Sequence, residues 1–144
     1  RGLAAALALG ADGVWVGTRF IATPEARGVL GYKDKLLASR EDQTTVSRAY
    51  SGKTMRVVRN HYTDYYDAHP DELKKFPEQL SASYGNGAMH LGGDSFSEGV
   101  DVDKECYPAG QGVGAISELV PAGELVQRFV AEAEAVLDRM AALR

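Results

Sequence analysis

A short apolar run between a helical segment and a glycine is the feature that most limits how this 144-residue chain can fold. Residues 3–9 are all Ala or Leu and predict a helix, which Gly10 ends in the left-handed conformation. Val14, Trp15 and Val16 follow after a tight turn and are typical of a strand that is buried on both faces. A helix, a turn and a buried strand form one unit of an α/β fold.

Gly17 and Thr18 come directly after this predicted strand, at the end where α/β folds and barrels bind ligands. Glycine allows a phosphate to approach the backbone amides, and threonine adds a hydroxyl group. Because capping residues are common at helix starts, a turn glycine followed by a helix-capping threonine is an equally good interpretation of the spacing.

Further helical patterns occur at 24–30, 33–40 and 121–143. The first opens with the capping sequence Thr23-Pro24-Glu25, which combines a hydroxyl, a proline for the first helical position and an acid. In the last, apolar residues recur at helical spacing on one face and charged residues occupy the other.

The middle of the chain gives weaker signals. Residues 42–50 and 55–58 predict two extended segments around the turn Ser51-Gly52. Between 60 and 107 the chain is irregular, and Pro70 and Pro77 break two short helices.

Gly110 and Gln111 form a second candidate site before the last helix. A glycine-rich loop that ends in glutamine can place backbone donors and a side-chain amide beside a flavin ring or a substrate. The alternative interpretation is a flexible connection, since loops of this composition often only join elements.

The remaining residues that could carry chemistry are interpreted as structural. The histidines have no partner at metal-ligand spacing and are predicted to be structural or solvated: His61, His69 and His90. Cys106 is predicted to be an inert thiol. The tyrosines of the middle segment suit packing on a short helix: Tyr62, Tyr65 and Tyr66. Nearby charges predict a surface ion-pair network: Arg56, Arg59, Asp64 and Asp67.

Charge and cysteine content exclude several classes of function. Sixteen basic and twenty acidic residues give a formal net charge of -4, and the basic residues are scattered, so no nucleic-acid partner is expected. The single cysteine permits neither an intrachain disulfide nor a cysteine-based metal cluster, so no metal is expected. No apolar run approaches the roughly 18 residues of a membrane span. The prediction is a soluble protein of the cytoplasm.

A family resemblance sharpens these observations. The stretch from Ala8 to Phe20 resembles the last phosphate-binding strand of FMN-dependent barrel enzymes and of inosine-monophosphate dehydrogenases. Further similar segments lie at 19–26, 32–33, 44–45, 51–60 and 108–116. Together they resemble the nitronate monooxygenase family, formerly called 2-nitropropane dioxygenases. The resemblance covers nearly the whole chain and is weakest between residues 61 and 104.

The resemblance implies an α/β fold that is the C-terminal part of a (β/α)8 TIM barrel with an appended, mostly helical segment. Three segments are expected. Residues 1–41 would supply the last helix-strand-helix units of the FMN-binding barrel, residues 42–107 an inserted helical or lid segment, and residues 108–144 a substrate-side loop and a packing helix.

The resemblance also implies a cofactor site for FMN. The residues that match the family's FMN-contacting segment are Trp15, Val16, Gly17 and Thr18. Gly17 and Thr18 would lie nearest the phosphate, and Gly110 and Gln111 would lie near the flavin or the substrate. Family members usually carry a polar residue at the position of Trp15, so the resemblance keeps Trp15 in the cofactor segment and leaves open whether its side chain contacts FMN.

The implied reaction is the oxidation of an alkyl nitronate by O2 to a carbonyl compound and nitrite. The partners are therefore a small-molecule nitronate and O2, and the oligomeric state is left open. In this family the catalytic base is a histidine on an earlier strand, and none of the three histidines here has a matching context. No catalytic residue is assigned.

Two alternatives stay open. An FMN-dependent enoyl-acyl-carrier-protein reductase, which would use NAD(P)H, shares the Gly-Thr-Arg-Phe segment at 17–20 and an Ala-Gly-Gln loop at 109–111. The third hypothesis is a non-catalytic barrel fragment or interaction module, because a barrel needs roughly 250 residues. Since Arg1 enters the first predicted helix without a capping residue, the chain is expected to start inside a fold, to bind FMN weakly alone and to be inactive alone.

Overall fold

The computed structural model describes residues 1–143, which form a mixed α/β structure. The chain divides into two compact units. Unit 1 comprises Arg1–Val16, Thr23–Glu25 and the residues from Leu119 onward, and unit 2 comprises Gly17–Ala22 and Ala26–Glu118. The expected division at residues 41 and 107 stays a prediction.

Unit 1 is built from two helices that pack against each other. Helix α1 spans Gly2–Ala8 and helix α6 spans Ala122–Ala141, which confirms both predictions to within two residues. Gly10 follows α1 with φ +92°, the left-handed conformation predicted for it. The Glu25 carboxylate accepts the Ala122 backbone N–H, with N···O distances of 3.0 and 3.1 Å, so an acid satisfies a donor at the N-terminus of α6.

Unit 2 contains a small antiparallel hairpin. Strand β1 spans Thr44–Ser47, strand β2 spans Met55–Val58, and Thr45 lies opposite Val57. Gly52, in the turn between them, has φ +77°, and a Cβ there would lie 2.6 Å from the backbone nitrogen of Phe76. The position therefore requires glycine. The predicted extended pair is confirmed.

A third extended segment, residues 107–109, runs along the other side of β2. The Val58 N–H donates to the Tyr107 carbonyl at 2.9 Å, and the Ala109 N–H donates to the Arg56 carbonyl at 3.1 Å. Val57 and Pro108 form the antiparallel bridge between the two segments. This pairing attaches the start of the loop that follows residue 109 to β2.

Unit 2 also contains four helices: α2 (Thr18–Ile21), α3 (Tyr32–Ala38), α4 (His61–Ala68) and α5 (Glu78–Gly85). Helix α3 confirms the prediction for 33–40, and α4 and α5 are the two short helices expected around Pro70 and Pro77. Asn60 caps α4, since its side chain accepts the N–H groups of Tyr62 and Thr63 while the Thr63 hydroxyl accepts the Asn60 N–H.

Two hydrophobic clusters form the core of unit 2. The first joins α3 to the segment after residue 106 through the buried residues Ala22, Val29, Leu36, Val58, Tyr107, Ala109, Val113 and Ile116. The second lies between the hairpin and the helices that follow it, with the buried residues Ala49, Tyr50, Val57, Ala88, Met89 and Cys106.

Two predictions for the first part of the chain are wrong. Residues 14–16 form no strand, and the Trp15 side chain is 100% exposed. A strand needs hydrogen bonds to a neighbour, and the sheet within residues 1–143 holds only β1 and β2. Residues 24–30 form turns and no helix, and the carboxylate of Glu25, which was expected in the first turn of that helix, accepts the first amide N–H of α6 instead.

Among residues 1–143, no helix is both long enough and apolar enough to span a membrane.

Candidate functional site

Thr18 and Gly110, which belong to the two segments singled out from the sequence, meet within unit 2. The Gly110 N–H donates to the Thr18 hydroxyl oxygen at 3.0 Å, although the residues are 92 positions apart. Thr18 is the first residue of α2, and its side chain does not cap that helix. The helix-capping alternative is therefore not what the hydroxyl does here. Through this hydrogen bond, the Thr18 hydroxyl links the loop that carries Gln111 to the start of α2.

The Gly17-Thr18 corner offers hydrogen-bond donors. The backbone amides of Gly17 and Thr18 donate to no other group within the described part of the chain. A Cβ built on Gly17 would meet nothing within 4 Å, so the space beside this backbone is open. The Thr18 hydroxyl uses a lone pair to accept from Gly110 and keeps its own proton for a further acceptor. Such a corner can bind an anionic oxygen.

The loop that carries Gln111 is packed, which argues against a loose connection. Residues Gln111–Ala115 form a 3₁₀ turn in which Val113 is completely buried. A Cβ on Gly114 would lie 2.6 Å from the Glu41 backbone nitrogen, so glycine permits the close approach of the two chain segments. Because Gln111 itself is exposed, its amide is open to a ligand.

Trp15 and Val16 are placed in unit 1 without regular secondary structure. The Trp15 side chain is fully exposed and Val16 is half-buried. Their predicted contact with a cofactor stays a prediction.

His90 and Glu105 form a polar pair that the sequence did not predict. The Glu105 side chain is 2% exposed, and its Oε2 lies 2.6 Å from His90 Nδ1. Its Oε1 accepts the His90 backbone N–H at 3.0 Å. The structural interpretation of His90 therefore missed a partner 15 positions away. The one available signal was an acid directly before the apolar residues Cys106 and Tyr107.

The His90–Glu105 pair lines a cavity of about 190 Å³ in unit 2. Its walls come from three segments, residues 27–32, 89–93 and 105–108. Gly93 allows two of them to touch, since a Cβ there would lie 2.6 Å from Val29 Cγ1. Cys106 also lines the cavity, but burial raises the pKa of its thiol to about 12, as expected for an inert cysteine.

The other residues interpreted as structural are placed accordingly. Tyr62 stacks on Tyr50 with ring centroids 5.0 Å apart, so the tyrosines of α4 do pack. Arg59 forms an ion pair with Asp64 at 2.6 Å, whereas Arg56 donates to the hydroxyl of Thr44 and is not part of that pair. Within residues 1–143, no three His, Cys, Asp or Glu side chains are grouped to hold a metal ion.

The comparisons with known proteins identify the family. The model of the family described as nitronate monooxygenase matches residues 1–132, and the chain therefore belongs to the nitronate monooxygenase family. A relative from Mycobacterium tuberculosis, named "Putative monooxygenase Rv1533", is 36% identical over 135 residues, which cover 92% of this chain and 36% of that protein.

Two solved structures are similar to this chain over nearly its whole length. FabK from Thermotoga maritima matches 100% of this chain and 44% of its own chain, with a TM-score of 0.79 and 27% identity. A nitroalkane oxidase from Streptomyces ansochromogenes matches 96% of this chain and 37% of its own, with a TM-score of 0.69 and 27% identity. The chain thus spans less than half the length of each of these proteins.

Proposed function

We propose that this chain is the C-terminal part of an FMN-dependent (β/α)8-barrel enzyme that oxidises alkyl nitronates with O2 to carbonyl compounds and nitrite. Membership of the nitronate monooxygenase family supports the chemistry. The observation that carries the site is the hydrogen bond between Gly110 and Thr18, because it joins the two segments expected to face the cofactor. The whole enzyme's reaction, substrate and partners are part of this proposal.

The residues of the Gly17-Thr18 corner fit the phosphate of FMN. A phosphate needs several donors on an exposed surface, and here two unused amides and a hydroxyl proton are available. The absence of side-chain atoms at Gly17 leaves room for the phosphate oxygens. Arg19, on the same short helix, adds a positive charge, although its guanidinium also donates to the Ala22 carbonyl at 2.9 Å.

In this proposal, the residues of this chain bind the phosphate of FMN and orient the flavin or the substrate. Gly17 and Thr18 would hold the phosphate, and Gln111 would present an amide to the flavin or the substrate from a loop fixed by Val113. When bound, FMN supplies the redox chemistry. No residue of this chain is assigned as the catalytic base.

An FMN titration tests the site in the 144-residue chain itself. We expect weak binding, seen as quenching of flavin fluorescence, and at least a roughly fivefold weaker affinity in Thr18→Val, because the proposed hydrogen bond to the phosphate is lost together with the contact to Gly110. Thr45→Val is the matched control, since valine suits a strand position and β1 lies outside the proposed site. Equal affinities for the wild type and Thr18→Val would remove the proposed phosphate site.

The reaction is tested on the proposed full-length parent enzyme. Consumption of O2 with release of nitrite from 2-nitropropane nitronate, without NADH, is the expected result. NADH-dependent reduction of a crotonyl thioester would instead establish the reductase alternative, which the likeness to FabK supports. Failure of the 144-residue chain to bind FMN, together with neither reaction in the parent, would leave the non-catalytic hypothesis.

A further inference from the structure

The cavity beside His90 has the features of a built binding site that the proposed flavin site does not use. It lies in unit 2 between residues 27–32, 89–93 and 105–108, whereas the proposed flavin residues of unit 2 are Gly17, Thr18, Gly110 and Gln111, none of which lines it. The inference that follows is independent of the proposed function.

Glu105 fixes the orientation of the His90 ring. Both carboxylate oxygens are engaged by the same residue, Oε1 by the His90 backbone N–H and Oε2 by the ring Nδ1. A carboxylate only accepts hydrogen bonds, so Nδ1 carries a proton, and Nε2 is an acceptor whenever the ring is uncharged. Nε2 has no hydrogen-bond partner among the described residues.

The other polar side chains that line the cavity are engaged or face solvent. The Tyr32 hydroxyl donates to the Pro108 carbonyl. Arg27 pairs with Asp94 at 3.2 Å, and its side chain is 72% exposed, so this charge lies toward solvent. Among the lining side chains in the described part of the chain, His90 Nε2 is therefore the acceptor atom that has no hydrogen-bond partner.

The rest of the lining is apolar and sets the size and charge of what fits. Val29, Met89 and Leu91 contribute aliphatic surface, and the ring of Tyr32 contributes aromatic surface. The cavity is partly open to solvent, and its volume of about 190 Å³ is of the same order as the roughly 150 Å³ of apolar cavities that take up benzene. A charged ligand would lose its hydration without gaining an unpaired opposite charge, so an uncharged ligand is favoured.

We propose that this cavity binds a small uncharged molecule of about one six-membered ring that carries a single hydroxyl donor, with the hydroxyl on His90 Nε2 and the ring against the apolar wall. Phenol is the simplest molecule of this class. Benzene has the same ring and lacks the donor, so the pair separates the hydrogen bond from the fit of the ring.

The test is a titration of the 144-residue chain with phenol and with benzene, followed by NMR of the histidine ring nitrogens. We expect both to saturate, with phenol binding roughly fivefold more tightly because of the added hydrogen bond. The Nε2 signal of His90 should move with phenol, and the signals of His61 and His69 should not.

His90→Asn isolates the contribution of Nε2. The asparagine amide can occupy the place of Nδ1 and donate to Glu105, so the buried carboxylate keeps a partner while Nε2 is removed. Benzene binding to this variant shows that the cavity is intact, and the phenol preference should be lost. His61→Asn, at an exposed position of α4, should keep the preference.

Three results would overturn the proposal. One is equal affinity for phenol and benzene in the wild type, another is saturation by neither, and the third is a phenol preference that survives in His90→Asn while benzene still binds. If His90→Asn binds neither molecule because it does not fold, the wild-type comparison and the His90 signal alone decide.

Discussion

Units 1 and 2 differ in how completely they bury their apolar residues. Unit 2 contains both hydrophobic clusters, with Leu36, Tyr50 and Val57 completely buried. In unit 1 the buried side chains of the helices are Ala4, Leu125 and Ala133. Many large apolar side chains of unit 1 are exposed, among them Leu9, Val14, Trp15, Val126, Val130 and Met140. An amphipathic pattern can therefore define a helix without supplying the surface that would cover its apolar face.

The two units also differ in their polar contacts, which are buried in unit 2 and exposed in unit 1 in the following examples. In unit 2, Asn60 caps α4 and also donates to the Glu105 carbonyl at 2.9 Å, while Gln79, completely buried, donates to the Ala49 carbonyl. In unit 1, the Glu25 carboxylate at the start of α6 is exposed. Because buried hydrogen bonds are costly to break, unit 2 should open less readily than unit 1.

The largest expected effect concerns the reactivity of Cys106 in unit 2. Burial raises the pKa of its thiol from about 9 to about 12, so the thiolate fraction at pH 8 falls by about 1000-fold. Labelling by a thiol reagent should therefore be at least that much slower in the native protein than in denaturant. A native rate within tenfold of the denatured rate would show that unit 2 opens freely.

A cysteine placed in unit 1 turns this measurement into a comparison. Ala4, on α1, is 2% exposed, so Ala4→Cys in a Cys106→Ala background places a thiol at an equally buried site of unit 1. We expect this thiol to react roughly tenfold faster than Cys106, because fewer buried side chains hold α1 in place. Equal rates would contradict the difference between the units.

The next effect compares two glycines with similar backbone conformations. Gly52 in unit 2 has φ +77° and faces the Phe76 backbone, whereas Gly10 in unit 1 has φ +92° and would meet nothing with an added Cβ. Gly52→Ala should cost about 3 kcal/mol through strain and overpacking. Gly10→Ala should cost about 1 kcal/mol through the left-handed conformation alone.

Urea denaturation of both variants measures this difference. The prediction concerns the order of the two losses, since the backbone conformations are alike and only the surroundings change. A Gly10→Ala loss as large as that of Gly52→Ala would mean that unit 1 is packed more tightly around residue 10 than the structure shows.

The smallest effect is a pH dependence in the loop 94–97 of unit 2. The Phe96 N–H and the Arg27 guanidinium hold the pKa of Asp94 below its usual value. A lowered pKa in the folded state stabilises the protein above about pH 4, the unfolded value, and this contribution is lost as the pH falls below it. Asp94→Asn should therefore be less stable than the wild type at pH 7, with the difference shrinking toward pH 2.

Asp138→Asn supplies the control for this measurement. Asp138 lies exposed on α6 in unit 1, and its carboxylate has no hydrogen-bond partner among residues 1–143, so the substitution corrects for the loss of one negative charge. A difference between Asp94→Asn and the wild type that does not shrink at low pH would rule out Asp94 as its source.

The sequence predicted the elements that local patterns determine. The α6 pattern, the helix at α3 and the hairpin around Gly52 depend on residues close together in the chain, and each was found near its predicted position. The contact between Thr18 and Gly110 was not predicted, because spacing says nothing about residues 92 positions apart and the family resemblance only placed each of them near the cofactor or the substrate.

The wrong or missed predictions depend on distant partners. Val14, Trp15 and Val16 have the composition of a strand, but composition does not supply the neighbour that a strand must pair with. Glu25 was predicted to lie in the first turn of a helix at 24–30, but its carboxylate accepts the first amide N–H of α6. His90 lacked a partner at local spacing, and the fold brings Glu105 to it.

The pairing of residues 107–109 with β2 has a consequence for the order of folding. The hairpin of β1 and β2 closes a short loop, whereas Pro108 must return over about fifty positions to reach Val57. Closing a longer loop costs more chain entropy, so we expect the hairpin to form first and residues 107–109 to join it later. The cavity wall at 105–108 and the Thr18–Gly110 contact flank this late segment, so both would assemble only in the final stage of folding.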